Sequence, residues 1–133
     1  MREFSYEIDI DTRFRDIDAM GHVNNAVYAS FLEQARITYI EDVAGVDLEQ
    51  AGLVIATLTI DFRQPIEFGQ TVTVRLRVPE IGTASMPFEY EIRADGDLAA
   101  TAETLLVHVD RETGESVPIP EAWRERVATH ENH

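Results

Sequence analysis

The sequence predicts an α+β domain in which an antiparallel β-sheet is wrapped around one long central helix. A segment after residue 24 repeats apolar residues every three or four positions, which is typical of an amphipathic helix. One segment before it and four after it alternate apolar and polar residues, which is typical of half-buried strands. The turns between the later strands are short, and short turns join antiparallel neighbours.

The first predicted strand covers residues 4–14. Its inner face is formed by the apolar residues of an alternating pattern: Phe4, Tyr6, Ile8 and Ile10. A polar turn from residue 15 to residue 25 separates this strand from the helix.

The long helix is predicted to begin after an Asn24 N-cap, to run to about Val43 and to stop at Gly45. Its apolar stripe consists of residues three or four positions apart: Tyr28, Phe31, Leu32, Ala35, Tyr39 and Val43. Three charged residues fall off that stripe: Glu33, Arg36 and Glu41.

Four strands are predicted after the helix. The inner faces of the first three consist of alternating apolar residues: Leu58, Ile60 and Phe62; Val72, Val74, Leu76 and Val78; Met86, Phe88, Tyr90 and Ile92. The turn Asp95-Gly96-Asp97 leads into the last strand, over about residues 98–109. Its alternation shifts phase near Thr104, which predicts a bulge or burial on both faces. A short terminal helix is expected over residues 121–129, around Trp123.

The composition fits one soluble globular domain that covers residues 1–133. There are 25 acidic and 11 basic residues, which gives a formal net charge of −14. That charge repels nucleic acid and anionic membranes, so neither is expected as a partner. No apolar run is long enough to span a bilayer, and residues 1–4 lack the apolar core of a signal peptide, so we expect a cytoplasmic protein.

Two residue types are absent from the chain. Without cysteine, the protein cannot have disulfides, thiolate metal ligands or a thiol nucleophile. There is also no lysine, so all 11 basic residues are arginine. An acid excess without lysine resembles the surface of halophile proteins, in which concentrated salt screens the repulsion between acidic side chains. An acidic enzyme from a non-halophile is the alternative.

The segment between the first strand and the helix, residues 13–28, is the most informative for function. It places carboxylates, an imidazole and two asparagines just before a helix N-terminus, where unpaired backbone N–H groups favour a developing negative charge. Asp18 is positioned there to act as a nucleophile or general base on a carbonyl. The alternative is that these residues only cap the helix and form the turn.

Two metal-site interpretations fail on spacing. A calcium loop that begins at Asp16 would need oxygen ligands where Met20 and Val27 stand. The four histidines are scattered and form no zinc-binding pattern: His22, His108, His130 and His133. We therefore expect no metal site.

The run Asp18-x-x-Gly21-His22-Val23-Asn24-Asn25-x-x-Tyr28, followed by Phe31-Leu32-Glu33-x-Ala35-Arg36, closely resembles the signature of the 4-hydroxybenzoyl-CoA thioesterase-like acyl-CoA thioesterases. Those enzymes have the hotdog fold, an antiparallel sheet around one long helix. The resemblance covers nearly the whole chain. It implies an acyl-CoA thioesterase that needs no cofactor, since CoA is part of the substrate, and that works as a homodimer or homotetramer with sites between subunits.

The resemblance also implies catalytic roles. Asp18 matches the aspartate that attacks the thioester carbonyl or activates a water for that attack. Asn25 matches the position whose backbone N–H polarises the thioester oxygen. Gly21 is expected to let the chain approach closely before the helix, and His22 is expected to position substrate or water, or else to be a structural turn histidine.

Substrate-binding roles follow by the same resemblance. Tyr28 and Glu33 match pocket positions, although Tyr28 lies on the apolar stripe and Glu33 would equally suit a solvent-facing position. Arg63 resembles a residue near the CoA nucleotide, and Thr83 and Ser85 resemble the segment that contacts the pantetheine arm. The alternative for Arg63 is that it belongs to the polar face of a strand.

The expected reaction is hydrolysis of a thioester to a free carboxylic acid and CoA. A hotdog enoyl-thioester hydratase is one alternative, and a non-catalytic module that binds acyl-CoA or an acyl carrier is another. The sequence leaves open the acyl group and the choice between CoA and an acyl carrier protein as thiol carrier.

Overall fold

All five strands belong to one sheet, and one long helix packs on its inner face. The computed structural model describes residues 4–133, so the N-terminal start considered above for a signal peptide lies largely outside the described residues. The strands are β1 (Tyr6–Asp11), β2 (Leu53–Phe62), β3 (Thr71–Arg77), β4 (Ser85–Ala94) and β5 (Asp97–His108). The α-helices are α1 (Asn25–Tyr39), α2 (Leu48–Ala51) and α3 (Glu121–Glu131).

The strand order across the sheet is β1-β3-β4-β5-β2, and every neighbouring pair is antiparallel. This arrangement confirms the predicted α+β class. The expectation that consecutive strands are neighbours is wrong for β2 and β3. Residues 63–70 instead pass beneath the start of α1, because Ile66 is fully buried there and its carbonyl accepts a hydrogen bond from the Val23 N–H at 2.7 Å.

The predicted apolar stripe of α1 faces the sheet. Its members from Tyr28 to Tyr39 are buried, and Val43 is half-buried. Asn24 caps the helix by accepting a hydrogen bond from the Ala26 N–H at 2.9 Å, as predicted. After Tyr39 the helix continues as a π-helical turn (Ile40–Ala44) and ends at Gly45, whose φ is 69°.

Arg36 is a correction to the predicted stripe. The charge pattern placed Arg36 off the buried face, yet only 6% of the residue is exposed. It is buried because its guanidinium donates a hydrogen bond to the Tyr90 hydroxyl at 3.3 Å, between α1 and β4. The other two residues predicted off the stripe, Glu33 and Glu41, are exposed.

The predicted inner faces of β3 and β4 are confirmed, since their alternating apolar residues are buried. The prediction of a half-buried β2 is wrong: Leu58 is 43% exposed and Phe62 is 48% exposed. β2 is the edge strand farthest from β1, and α1 does not extend over it. The alternation in the sequence therefore sets which side chains of β2 point inward, but they are only partly covered: Ile60 packs against the core and Phe62 contacts Tyr28, whereas Leu58 stays exposed.

The irregularity of β5 lies elsewhere than predicted. Ala102, Thr104 and Leu106 all point inward without a break. Thr104 is a polar residue at an inward position, which interrupts the apolar alternation of the sequence. It is tolerated there because its hydroxyl forms a buried hydrogen bond of 2.6 Å with the Tyr90 hydroxyl. The register of β5 with β4 shifts at Ala99, between the pairs Ile92–Ala100 and Arg93–Leu98. Its register with β2 shifts beside Thr104, between the pairs Ile55–Leu106 and Thr57–Leu105, but the extra residue there belongs to β2.

The two ends of the chain also differ slightly from expectation. β1 ends at Asp11 rather than at residue 14, and a 3-10 turn (Phe14–Asp16) follows it. The terminal helix around Trp123 is confirmed, whereas α2 was not predicted. Over residues 4–133, no helix is long and apolar enough to cross a bilayer.

Candidate active site

Asp18 lies in a tight loop that is closed by a β-bridge between Ile17 and Val23. The Asp18 N–H donates to the His22 carbonyl at 2.8 Å. The Asp18 Oδ1 atom accepts hydrogen bonds from the N–H groups of Met20, at 2.9 Å, and His22, at 3.2 Å. No hydrogen bond from the described residues reaches Oδ2. The loop thus fixes one carboxylate oxygen and leaves the other available for chemistry.

The start of α1 supplies an unused hydrogen-bond donor. The Asn24 side chain accepts from the Ala26 N–H, and the Asn24 carbonyl accepts from the Val27 N–H at 2.9 Å. The Asn25 N–H between them has no acceptor within residues 4–133. An unpaired N–H at the positive end of a helix dipole is suited to stabilise an oxygen on which negative charge develops.

These two features share a cleft of about 230 Å³. The cleft is lined by loop, helix and strand-end residues: Asp18, His22, Val23, Asn25, Tyr28, Phe62, Arg63, Gln64 and Pro65. The structure therefore brings together five of the residues predicted for the site. Sequence reasoning missed Phe62, Gln64 and Pro65 as wall residues, and the only available signal was their position next to Arg63.

Tyr28 forms the floor of the cleft and is 2% exposed. Its ring packs edge-on against Phe62 with a centroid distance of 4.9 Å. Burial raises the pKa of the Tyr28 phenol, although a hydrogen bond with the Ile66 backbone acts in the opposite direction. The phenol is therefore neutral at neutral pH and serves as packing for the wall of the cleft.

Three predicted binding residues lie away from the cleft. Glu33 is exposed on α1. Ser85 pairs with Val107 at one end of β5, whereas Phe62 pairs with Ala100 near the other end. Seven residues of strand separate the two levels, which is about 23 Å. Thr83 and Ser85 are thus at the opposite end of the sheet from Asp18 within one chain.

Gly21 is needed for a different reason from the predicted one. A Cβ atom at this position would meet nothing within 4 Å, so close approach of the chain does not require glycine. Its φ is +82°, in the left-handed region that glycine adopts without strain. This backbone conformation closes the loop that holds Asp18.

The strand arginines divide into two groups. Arg75 and Arg77 pair with Glu91, at 3.6 Å, and with Glu89, at 2.7 Å, on the outer face of the sheet. Arg63 has no carboxylate partner within residues 4–133 and lines the cleft. The polar-face alternative therefore holds for the first two arginines, while Arg63 is free to meet an anion.

The described part of the chain contains no group of three or more histidine, aspartate or glutamate side chains placed to hold a metal ion. Independence from metals and other cofactors stays a prediction.

Comparison with known proteins places the chain among thioesterases. Residues 12–127 match the family described as the thioesterase-like superfamily. The crystal structure of a thioesterase from Thermus thermophilus, complexed with coenzyme A and Zn, has a TM-score of 0.90 and 38% identity, and the match covers 100% of this chain and 98% of that chain. This similarity confirms the predicted hotdog fold.

Two relatives are similar in sequence. The putative acyl-CoA thioesterase YneP of Bacillus subtilis (strain 168) is 24% identical over 120 residues, which are 86% of this chain and 87% of YneP. The chloroplastic acyl-acyl carrier protein thioesterase ATL3 of Arabidopsis thaliana is 30% identical over 97 residues, which are 69% of this chain and 50% of ATL3. The chain thus spans about half the length of the plant relative.

The loop geometry predicts that Gly21→Ala destabilises the protein while Gly21→Asn does so less. Alanine at a positive φ costs about 1–2 kcal/mol, whereas asparagine tolerates the left-handed region better. Urea unfolding of the three proteins measures the difference. Equal stability of Gly21→Ala and the parent would contradict the backbone role of Gly21.

Proposed function

The chain belongs to the thioesterase-like superfamily, and from this premise we propose that it is an acyl-CoA thioesterase that hydrolyses a thioester to a free carboxylic acid and CoA. The observation that carries the proposal is that a free carboxylate oxygen, on Asp18, and a free backbone donor, the Asn25 N–H, line one cleft. The similarity to a CoA-bound thioesterase and to YneP supports CoA esters as substrates. Hydration of an enoyl thioester receives no such support.

The proposed chemistry begins with the thioester carbonyl oxygen on the Asn25 N–H. This donor and the helix dipole stabilise the negative charge that the oxygen acquires when its carbon is attacked. The Asp18 Oδ2 atom either attacks the carbon, which expels the CoA thiolate and leaves an anhydride for water to cleave, or takes a proton from an attacking water. Both routes consume one water and yield the same products. His22, in the wall of the cleft, helps to position substrate or water.

Asp18→Asn is expected to lower kcat for acyl-CoA hydrolysis by about 10³-fold, since the amide can still accept the loop hydrogen bonds but is a poor base and nucleophile. Thiol release from short, medium, long and aromatic acyl-CoAs measures the effect, in molar potassium chloride and in low salt because of the acidic surface. The chain has no cysteine, so the protein adds no thiol signal.

The matched control is Asp97→Asn, the same change at an exposed residue at the start of β5, outside the cleft and β2. It should leave the rate near that of the parent. Hydrolysis by Asp18→Asn at the parent rate would overturn the mechanism, and a folded parent that binds acyl-CoA without cleaving it would indicate a binding module.

The role assigned to the Asn25 N–H predicts opposite outcomes for two substitutions. Asn25→Pro removes only this donor and suits the first helical position, and the ψ of 136° at Asn24 is compatible with a following proline. We expect a fall of about 10²–10³-fold in kcat. Asn25→Ala keeps the N–H and should retain most of the rate. Similar rates for both variants, with unchanged helix content by circular dichroism, would rule out this donor.

Arg63 is proposed to contact the phosphates of CoA, because a guanidinium grips phosphate oxygens in a bidentate fashion. Arg63→Gln is expected to raise KM for CoA esters more than for short pantetheine esters, which lack those phosphates. Arg75→Gln, which changes an arginine on the outer face of the sheet, is the matched control. Steady-state kinetics with both ester types decide the question, and equal effects on the two would assign Arg63 to structure.

We further propose that two chains pair along β2 and complete the site in a dimer, the minimal unit of a dimer or tetramer. The β1 edge of the sheet carries exposed acidic residues, which discourage edge pairing: Glu7, Asp9 and Asp11. The ten-residue β2 edge instead exposes apolar residues: Val54, Ile55, Leu58 and Phe62. Antiparallel pairing of β2 with its copy would bring the partner subunit's Thr83 and Ser85 towards Asp18, which gives them the expected role on the pantetheine arm.

This pairing predicts that Leu58→Asp weakens the dimer, because it places a charge in the apolar edge of both copies. Sedimentation velocity should report a larger monomer fraction at micromolar concentration. Thr129→Asp, on the exposed side of α3, adds the same charge elsewhere and should leave the oligomer intact. A parent protein that is monomeric at all concentrations would contradict the proposal.

A further inference from the structure

Beside α1, the inner face of β2 is uncovered, since Ile55, Leu58 and Phe62 are 45%, 43% and 48% exposed. We call the space between this face and α1 the groove. One side of α1 faces β1, because Val27, Phe31 and Gln34 share a surface depression with Asp9 and Asp11. The opposite side of the helix, which carries Arg36, therefore faces β2.

The inner face of β2 forms the other wall of this groove. Its inward-pointing residues are apolar: Ile55, Leu58, Ile60 and Phe62. Because Phe62 also packs on Tyr28 in the cleft, the groove begins where the thioester is proposed to bind. It therefore provides an apolar path for the acyl chain of a substrate.

Arg36 is an unneutralised charge beside this path. The only hydrogen bond of its guanidinium within residues 4–133 goes to the Tyr90 hydroxyl, and none of the ion pairs among those residues includes Arg36. Burial raises the pKa of the Tyr90 phenol, although the Arg36 charge and the hydrogen bonds of Thr104 and Arg36 oppose that shift. Tyr90 is therefore neutral and supplies no negative charge. Burying a cation costs free energy, and this cost is offset when an anion binds beside the cation and accepts its hydrogen bonds.

The unbonded donors of Arg36 are not fully sealed. No nitrogen or oxygen of a described side chain is both sealed from solvent and without a hydrogen bond, so the unbonded nitrogens of Arg36 keep a small exposed area, although only 6% of the residue is exposed. The position of the Arg36 guanidinium along the groove follows from its hydrogen-bond partner. Its partner Tyr90 bonds to Thr104, and Thr104 lies opposite Leu58 in the sheet register.

From this arrangement we infer that Arg36 binds an anionic group at the far end of the acyl chain, so that the preferred substrates are ω-carboxyacyl thioesters of medium length. The inference rests on the proposed function, since it assigns the acyl group of the same site. Leu58 is four residues from Phe62 on β2, so the guanidinium level is about 13 Å beyond the cleft wall. A carboxylate there would accept two parallel hydrogen bonds from the guanidinium.

The test compares matched pairs of CoA esters: octanoyl with octanedioyl, decanoyl with decanedioyl, and dodecanoyl with dodecanedioyl. For at least one pair, we expect kcat/KM of the parent to be tenfold or more higher for the ω-carboxy ester. The difference should come from a lower KM for that ester rather than from a higher kcat. Arg36→Gln should reduce that ratio at least tenfold. Arg36→Lys keeps the positive charge but lacks the two parallel N–H donors of a guanidinium, so it should give an intermediate ratio. Arg75→Gln, on the outer face of the sheet, is the control and should keep the parent ratio.

Binding separates this inference from the proposed function. Calorimetry of the same ester pairs with Asp18→Asn measures the preference without turnover, so the result does not depend on hydrolysis. Equal affinity and equal kcat/KM within every pair would overturn the inference even if plain acyl-CoAs are cleaved. It would also be overturned if Arg36→Gln keeps the preference, or if that variant alters only the oligomeric state, which would mean that a second copy covers the guanidinium.

Discussion

One helix is too narrow to cover the inner face of a five-stranded sheet. The positions of the candidate cleft, the exposed β2 edge and the groove follow from this incomplete cover. A helix with its side chains is about 10–12 Å wide, whereas five strands span about 19 Å between the outermost axes. α1 packs over β1, β3 and β4, towards one edge of the sheet, and leaves β2 uncovered. The cleft, the apolar edge of β2 and the groove beside Arg36 all lie next to the part of the sheet that α1 does not cover.

A second constraint acts at the start of α1, where a helix cannot pair its own first N–H groups. Asn24 and the preceding loop use most of the nearby acceptors and leave the Asn25 donor free. The same loop directs two amides to one oxygen of Asp18, which orients the other oxygen. Local backbone geometry therefore places a nucleophilic or basic group and an electrophilic donor together, without long-range interactions between side chains.

The sequence predicted the features that depend on local pattern, such as strand faces and the helix cap. It missed the features that depend on which elements are adjacent in the folded protein. Alternation identified the inner faces of β3 and β4, and capping identified the start of α1. The same alternation in β2 could not reveal its exposure, because exposure follows from strand order. Arg36 and Thr104 were misjudged for one reason: each is a polar residue at an inner position, made tolerable by Tyr90. The distance of Thr83 and Ser85 from Asp18 likewise depends on topology, which periodicity does not encode.

The central claim is that a substrate thioester lies with its carbonyl oxygen on the Asn25 N–H. The most direct measurement is the infrared stretching frequency of a ¹³C-labelled thioester carbonyl, bound without turnover to Asp18→Asn. We expect a shift to lower frequency relative to the free ester, because the donor weakens the C=O bond, and we expect that adding Asn25→Pro abolishes this shift. An identical frequency in both variants, with the ester bound in each, would contradict this claim.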